Sequence, residues 1–292
     1  MSTTTTTTTV DRVPRGDVTA SLNFFSAPVD GSAPFNLVDG GTVGPGGHMG
    51  RNYSDEPREV PIRDLRGRES EPTLDRDAFV ILQSVPPSKE KDFVDDDSIK
   101  AKYYPEVEKL LLDNVPGSNR IYLFDHTIRR SSPNAHRSPV QVAHIDQTAK
   151  SVEKRVRRYY SPEQAEELLK GRYRIINVWR SLNEGPIESF PLAFASSATV
   201  GPDDVVPIEH RYKDGYTGET AGIKYNPAQQ WNYFSGMTGD ERLLIECFDS
   251  ESLKEGSTIG GRVPHTAFAH PGTREDAIGR ESIEVRALVF GP

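Results

Sequence analysis

The segment Gln141-Val142-Ala143-His144-Ile145-Asp146-Gln147 sets an imidazole and a carboxylate two residues apart. In an extended segment, side chains two apart point to the same side, so His144 and Asp146 can share one metal ion. An imidazole and a carboxylate suit iron(II) when a second histidine completes a facial triad and leaves the opposite face of the ion open for chemistry. His265, in Val263-Pro264-His265-Thr266-Ala267-Phe268, stands on a β-rich stretch and is the candidate for that second histidine. The His-x-Asp pair alone is a weak signal in a chain with seven histidines. A histidine at a strand end is more often a hydrogen-bonded core residue than a ligand.

The pair gains weight from the segment C-terminal to His265. After a turn containing Gly272 and Pro271, the run from Arg280 to Phe290 alternates. Arg280, Ser282, Glu284 and Arg286 share one parity, while Ile283, Val285, Ala287 and Val289 share the other and should face apolar packing. If residues 263–269 and 282–290 form a hairpin, Arg280 and Ser282 stand near the metal on one face. A guanidinium there binds a carboxylate through two parallel charge-assisted bonds, which lysine cannot do. Arg286 is the second candidate for that clamp; Arg274 belongs to the turn. The bland alternative is a charged strand face open to solvent.

Three further residues are candidates for substrate contact. Trp179 is more often a core residue, but Arg180 beside it is hard to bury without a partner and can face a pocket. His126, in a strand-end block with Arg129 and Arg130, either orders the site or is structural. His210 and His270 lack a carboxylate partner in the right pattern and read as hydrogen-bonded or surface residues.

These residues need a rigid frame. Periodicity predicts a helix over 98–114, despite Pro105, and a second from Ser161 to Gly171, with Pro162 at its first position and Gln164 completing a capping box. Period-two, β-rich segments predict strands over 120–125, 140–144, 173–180, 192–200, 206–212, 231–235, 243–248, 263–269 and 282–290. The expected fold is mainly β with flanking helices, a double-stranded β-helix or jelly-roll barrel. Residues 1–20, with a Thr-rich tract, read as a disordered arm, and residues 21–292 as a single domain with an extended N-terminal segment. Up to about residue 75 the pattern is that of an arm with loops. The glycines at 40–50 are interrupted by Pro45 and lack the Lys-Ser or Lys-Thr of a phosphate cradle, so they too read as a loop.

Composition narrows the partners. With 35 Lys and Arg against 43 Asp and Glu, the net charge is −8, which offers no electrostatic footprint for nucleic acid or an anionic membrane. One cysteine, Cys247, excludes a disulfide framework and Cys-rich zinc sites. No apolar run is long enough for a membrane span, and a cytoplasmic location is the default expectation. The expected partners are a small-molecule substrate and dioxygen; a homodimer is left open.

His144-Ile145-Asp146, His265 and Arg280-x-Ser282 resemble, in order and chemistry, the iron(II)/2-oxoglutarate-dependent dioxygenases. The resemblance is closest to the fungal and bacterial hydroxylase/desaturase family of secondary metabolism, which includes the cephamycin methoxylation component and gibberellin desaturase-like proteins. Further blocks carry it: Leu22-Asn23-Phe24-Phe25, Phe124-Asp125-His126-Thr127-Ile128-Arg129-Arg130, Ile176-Asn177-Val178-Trp179-Arg180 and Cys247-Phe248-Asp249-Ser250. The gap from His265 to Arg280 departs from the family, whose clamp commonly follows the distal histidine more closely. The resemblance implies Fe(II) and 2-oxoglutarate as cofactors, with the far carboxylate of 2-oxoglutarate on Arg280 and Ser282. It implies oxidation of a substrate C–H bond, by hydroxylation, desaturation or ring closure, with release of succinate and carbon dioxide. The competing readings are a catalytically inactive jelly-roll binding protein and a metal-dependent hydrolase or isomerase on the same barrel.

Overall fold

The computed structural model describes residues 12–38, 50–131 and 137–292. The Thr-rich tract and most of the glycine cluster lie outside the described residues. Among those described, the strands are β1 (Val18–Ser26), β2 (Phe35–Leu37), β3 (Ser54–Asp64), β4 (Phe79–Leu82), β5 (Arg120–Arg130), β6 (His144–Ile145), β7 (Tyr173–Ser181), β8 (Leu192–Ala195), β9 (Val205–Arg211), β10 (Thr217–Ile223), β11 (Trp231–Tyr233), β12 (Arg242–Asp249), β13 (His265–Ala267) and β14 (Glu281–Phe290). The helices are α1 (Leu74–Asp77), α2 (Asp96–Asn114), α3 (Ala149–Tyr159) and α4 (Pro162–Leu168).

The strands form two sheets. One runs β1-β3-β11-β8-β13-β6-β10-β9-β2 and the other β4-β12-β7-β14-β5. Together they make the jelly roll anticipated from the strand pattern. Side-chain parity decides what each face of the smaller sheet touches. On β7, Ile175 and Trp179 join the core shared with the larger sheet, where Phe24, Phe194 and Trp231 also sit. Ile176 and Val178 point the other way, into a second core with Ile283, Val285, Ala287 and Val289 of β14. Helix α2 covers this second core with Ile99, Tyr103, Val107 and Leu111, spaced four apart. Pro105 costs the helix about 3 kcal/mol. Burying Ile99, Val107 and Leu111 contributes about 1.5–3 kcal/mol each, so the helix persists through the proline.

Four expectations change. Residues 18–26 and 54–64, expected to be arm and loop, pair along their whole length as β1 and β3, so the arm ends before Val18. Their inward residues Ala20, Leu22, Phe24, Val60 and Ile62 are buried; charged outward residues on β3 masked the alternation. α1, β4, β10 and α3 were not predicted. β10 is rich in Gly and Thr, while α3 starts on a Thr148 capping box with Ser151 in place of Glu or Gln. The strand over 192–200 ends at Ala195, where a short 3-10 turn takes over. Finally, β13 and β14 are not a hairpin. β13 pairs with β6 and β8 in the larger sheet, and β14 lies between β7 and β5 in the smaller. Residues 268–280 are long enough to cross from one sheet to the other. The long gap after His265 therefore has a structural cause.

Candidate active site

His144 and His265 are direct cross-strand partners on β6 and β13. That pairing brings their rings to 4.5 Å between centroids, as opposed residues of adjacent antiparallel strands should be. Each ring is oriented from behind. His144 Nδ1 lies 2.8 Å from the Val142 carbonyl and His265 Nδ1 3.1 Å from the Val263 carbonyl. Donation to those carbonyls fixes the tautomer that leaves both Nε2 atoms free to bind metal. Asp146, two residues after His144, puts Oδ1 at 3.3 Å from His144 Nε2 and 4.0 Å from His265 Nε2. One ligand atom from each of the three lies within 4.8 Å of the others, which makes them the group suited to a metal ion among the described residues.

The second oxygen of Asp146 is already engaged. Asn177 Nδ2 and Arg286 Nε each donate to Oδ2 at 2.9 Å. Oδ1 alone is left to bind an ion, the monodentate carboxylate of a facial triad. Burial pushes the Asp146 carboxyl up, but the Arg286 guanidinium and the two imidazoles outweigh it and hold it well below the usual carboxylate range. Burial, then repulsion from His144, pushes His265 down to about 4. His144 rises because its hydrogen bond and attraction to Asp146 outweigh its burial. At neutral pH the site presents a carboxylate and, at His265, a neutral imidazole, both in the state a metal requires.

The triad opens on a small, solvent-connected cavity whose walls include Arg129, Trp179, Leu192, Arg280, Ser282 and Glu284. Arg280 stands just before β14. Its position is fixed from both sides: its carbonyl accepts from Ser131 N, Asn183 Nδ2 donates to the Gly279 carbonyl, and Glu281 N donates to Asn183 Oδ1. Gly279 must be glycine for this approach, since a Cβ there would lie 2.6 Å from the Ser131 carbonyl oxygen. Arg280 is 2% exposed, and its guanidinium lies 5.6 Å from the Trp179 ring centre. It donates from Nη1 to the Phe190 carbonyl at 2.7 Å, while its Nε is buried with no hydrogen-bond partner. Burial and the neighbouring Arg129 push its pKa down to about 9. A buried cation with an unfilled donor, facing a cavity that also holds the triad, fits a dicarboxylate reaching from metal to guanidinium.

The other candidates fall in different places. Ser282 lines the cavity and is 1% exposed. Trp179 lines it as well. Arg286, the second choice for a carboxylate clamp, is spent on protein groups: besides Asp146 it donates from Nη1 to Asp125 at 3.1 Å and Thr127 at 3.0 Å, and pairs with Glu284 at 2.6 Å. It supports a ligand and holds no free fork for a co-substrate. Arg180 does not line the cavity. It lies on the opposite face of β7 from Trp179, over the rings of Phe93 and Tyr103. His126 also points away, with Nδ1 3.0 Å from the Tyr104 hydroxyl and Nε2 3.3 Å from Asp96, so it ties β5 to α2. For both, strand parity places the side chain behind the sheet. His210 bonds Thr220 and His270 sits beside Tyr233. Three contributors were not singled out from sequence: Asn177, Arg129 and Glu284. Asn177 carried a legible signal, a lone amide inside a strand buried on both faces.

Comparison with known proteins agrees with this geometry. A family described as "Oxidoreductase/YMDC permease-like domain" matches residues 22–290. The hydroxylase/desaturase poxK of Penicillium oxalicum is 36% identical, over 95% of this chain and 92% of its own length. The Fe(II)/2-oxoglutarate-dependent dioxygenase nvfI of Aspergillus novofumigatus is 30% identical, over 84% and 87%. The solved structure of an iron and alpha-ketoglutarate-dependent endoperoxidase, NvfI, superposes with a TM-score of 0.80 at 25% identity, covering 95% of this chain and 99% of that one. The chain belongs to the iron(II)/2-oxoglutarate-dependent dioxygenases, in the hydroxylase/desaturase family of secondary metabolism.

Proposed function

We propose that His144, Asp146 and His265 hold the ferrous ion, and that Arg280 with Ser282 receives the far carboxylate of 2-oxoglutarate. The observation that carries this reading is the Arg280 guanidinium, buried with an open donor in the same cavity as the three ligands. When bound, iron activates dioxygen at the expense of 2-oxoglutarate, which leaves as succinate and carbon dioxide while a substrate C–H bond is oxidised. The protein's part is positional. Carbonyls behind the histidines aim both Nε2 atoms at one point, and Asn177 with Arg286 restricts Asp146 to one donor oxygen. Trp179 and Leu192 form part of the chamber wall beside the co-substrate. Hydroxylation, desaturation and ring closure share this frame and differ in how the substrate is placed.

Among the described residues no helix is long and apolar enough to cross a membrane. The net charge of −8 supports a small-molecule substrate rather than nucleic acid.

Wild-type protein supplied with Fe(II), 2-oxoglutarate and air should release succinate, and should bind close to one iron per chain. His144→Ala should lower iron binding by more than about 100-fold, beyond the range that residues behind the ligands command. Unchanged iron stoichiometry in that variant would reject the ligand set.

A further inference from the structure

A second cavity, open to solvent, adjoins the first and shares Asp146 with it. Its walls are α3 on one side and the β9–β10 ribbon on the other. Helix α3 supplies Lys150, Lys154 and Arg155, while the ribbon and its turn supply His210, Tyr212 and Tyr216. The three cations face two carboxylates. Asp146 is matched by Asn177 and Arg286. Glu219 accepts from the Thr148 hydroxyl and lies 3.9 Å from Lys150 Nζ. Lys154 and Arg155 are therefore cations in excess of what the local acids balance.

Arg155 has the more specific geometry. Its guanidinium lies 4.2 Å over the Phe124 ring, and its Nε is buried without a hydrogen-bond partner. Stacking on an aromatic face fixes the plane of a guanidinium and leaves its N–H edge available for a planar anion. At the rim, Tyr212 and Tyr216 stand 5.4 Å apart between ring centres and are 36% and 44% exposed. Paired, half-exposed tyrosines beside a cationic floor suit a ligand with an apolar or planar body and an anionic end.

We propose that this second cavity is the substrate subsite, and that the substrate carries a carboxylate held by Arg155 with Lys154 while its body lies against Tyr212 and Tyr216. The assignment rests on the proposed iron site, because sharing Asp146 is what puts a ligand here next to the metal. The first cavity, with Arg280 at its end, is left to the co-substrate.

The test uses the full chain loaded anaerobically with Fe(II) and saturating 2-oxoglutarate, titrated in a calorimeter with 2-naphthoate and separately with its methyl ester. Naphthoate should bind at least tenfold more tightly than the ester. Arg155→Met, which keeps an apolar stem over Phe124, should cut the preference for naphthoate to about the threefold that Lys154 supplies and leave the ester unchanged. Lys154→Gln, at an exposed helix position, should cost naphthoate about threefold by removing one rim charge. Equal binding of acid and ester by the wild type, binding of neither, or an Arg155→Met protein that keeps the full tenfold preference for the acid overturns the proposal. So does naphthoate affinity that falls as 2-oxoglutarate is raised further, which would place the probe in the co-substrate cavity. Failure of the underlying iron reading is distinguishable, because wild-type protein would then fail to take up Fe(II) and 2-oxoglutarate before any probe is added.

Discussion

Two groups of buried charges lie on the smaller sheet, and only one of them makes a site. The first surrounds Asp146 and takes in Arg286, Glu284, Arg280 and Arg129. The second joins the buried Arg174, Glu246 and Asp249, on β7 and β12, with the half-buried Arg172 and, at the surface, Asp75. Both groups have displaced ionisation. Burial raises Glu284 despite Arg286, and burial then Asp249 raises Glu246 well above its ordinary value. Both contain an arginine Nε with no partner, Arg280 in one and Arg174 in the other. The difference is where the groups point. Arg174 and Glu246 face each other at 3.9 Å, 1% and 0% exposed in their side chains. Arg172 closes on Asp249 at 3.0 Å and Asp75 at 2.8 Å. In the first group Arg280 and the open oxygen of Asp146 converge on a cavity. Perturbed ionisation therefore marks burial in both regions, and convergence on open space marks function in one.

Exchanging charge in each group would break the comparison most directly. Arg280→Ala removes the fork for 2-oxoglutarate and should raise its KM on the order of 10–100-fold, the equivalent of losing about 1.5–3 kcal/mol of charged hydrogen bonding. Arg280→Lys restores the charge without the fork and should recover only part of that loss. Arg174→Met, the parallel change in the closed group, should leave the KM alone and act on stability. An Arg174→Met protein with a raised KM for 2-oxoglutarate would dissolve the distinction.

A smaller effect is expected at Asn177. Removing its amide frees Asp146 Oδ2 from one of two donors, and Asn177→Ala should weaken Fe(II) affinity by about tenfold, measured by competition with a chelator. If affinity matches wild type, Asn177 is a core residue only and Arg286 alone fixes the carboxylate.

How much of the site is legible in the sequence varies with the reach of each interaction. His144 and Asp146 are two apart in one extended segment, so local geometry is enough to join them. Parity along β14 likewise placed Arg280 and Ser282 on one side and Ile283 and Val285 on the other. His265 could be matched by order and type, but its position opposite His144 depends on β13 pairing with β6, a contact between segments some 120 residues apart in sequence. The expected hairpin failed for the same reason, since nothing local states that β13 and β14 belong to different sheets. Arg180 and His126 were misplaced by a simpler ambiguity. Alternation fixes which residues share a face and does not say which face is inside when both are covered. Arg286 was legible as a cation on the right face, but its partners Asp125, Thr127 and Asp146 come from distant segments, so its role was not.

The smallest effect sharpens the comparison from the closed side. Glu246 has neither carboxylate oxygen hydrogen-bonded, and burial holds its carboxyl protonated well above the ordinary value of 4.5. Between that ordinary value and its raised folded value, the folded chain keeps a proton that the unfolded chain has lost, so wild-type stability falls as pH rises through this window, by up to ~1.4 kcal/mol per pH unit. Glu246→Gln resembles the protonated acid and does not titrate. The variant and wild type should melt together near pH 4.5, and the variant should gain steadily above it, with Fe(II) affinity unchanged throughout. Melting curves that stay parallel from pH 4.5 to 8 would mean that Arg174 holds Glu246 ionised. The closed group would then be an ion pair of the same kind as Asp146 and Arg286, lacking only a cavity to face.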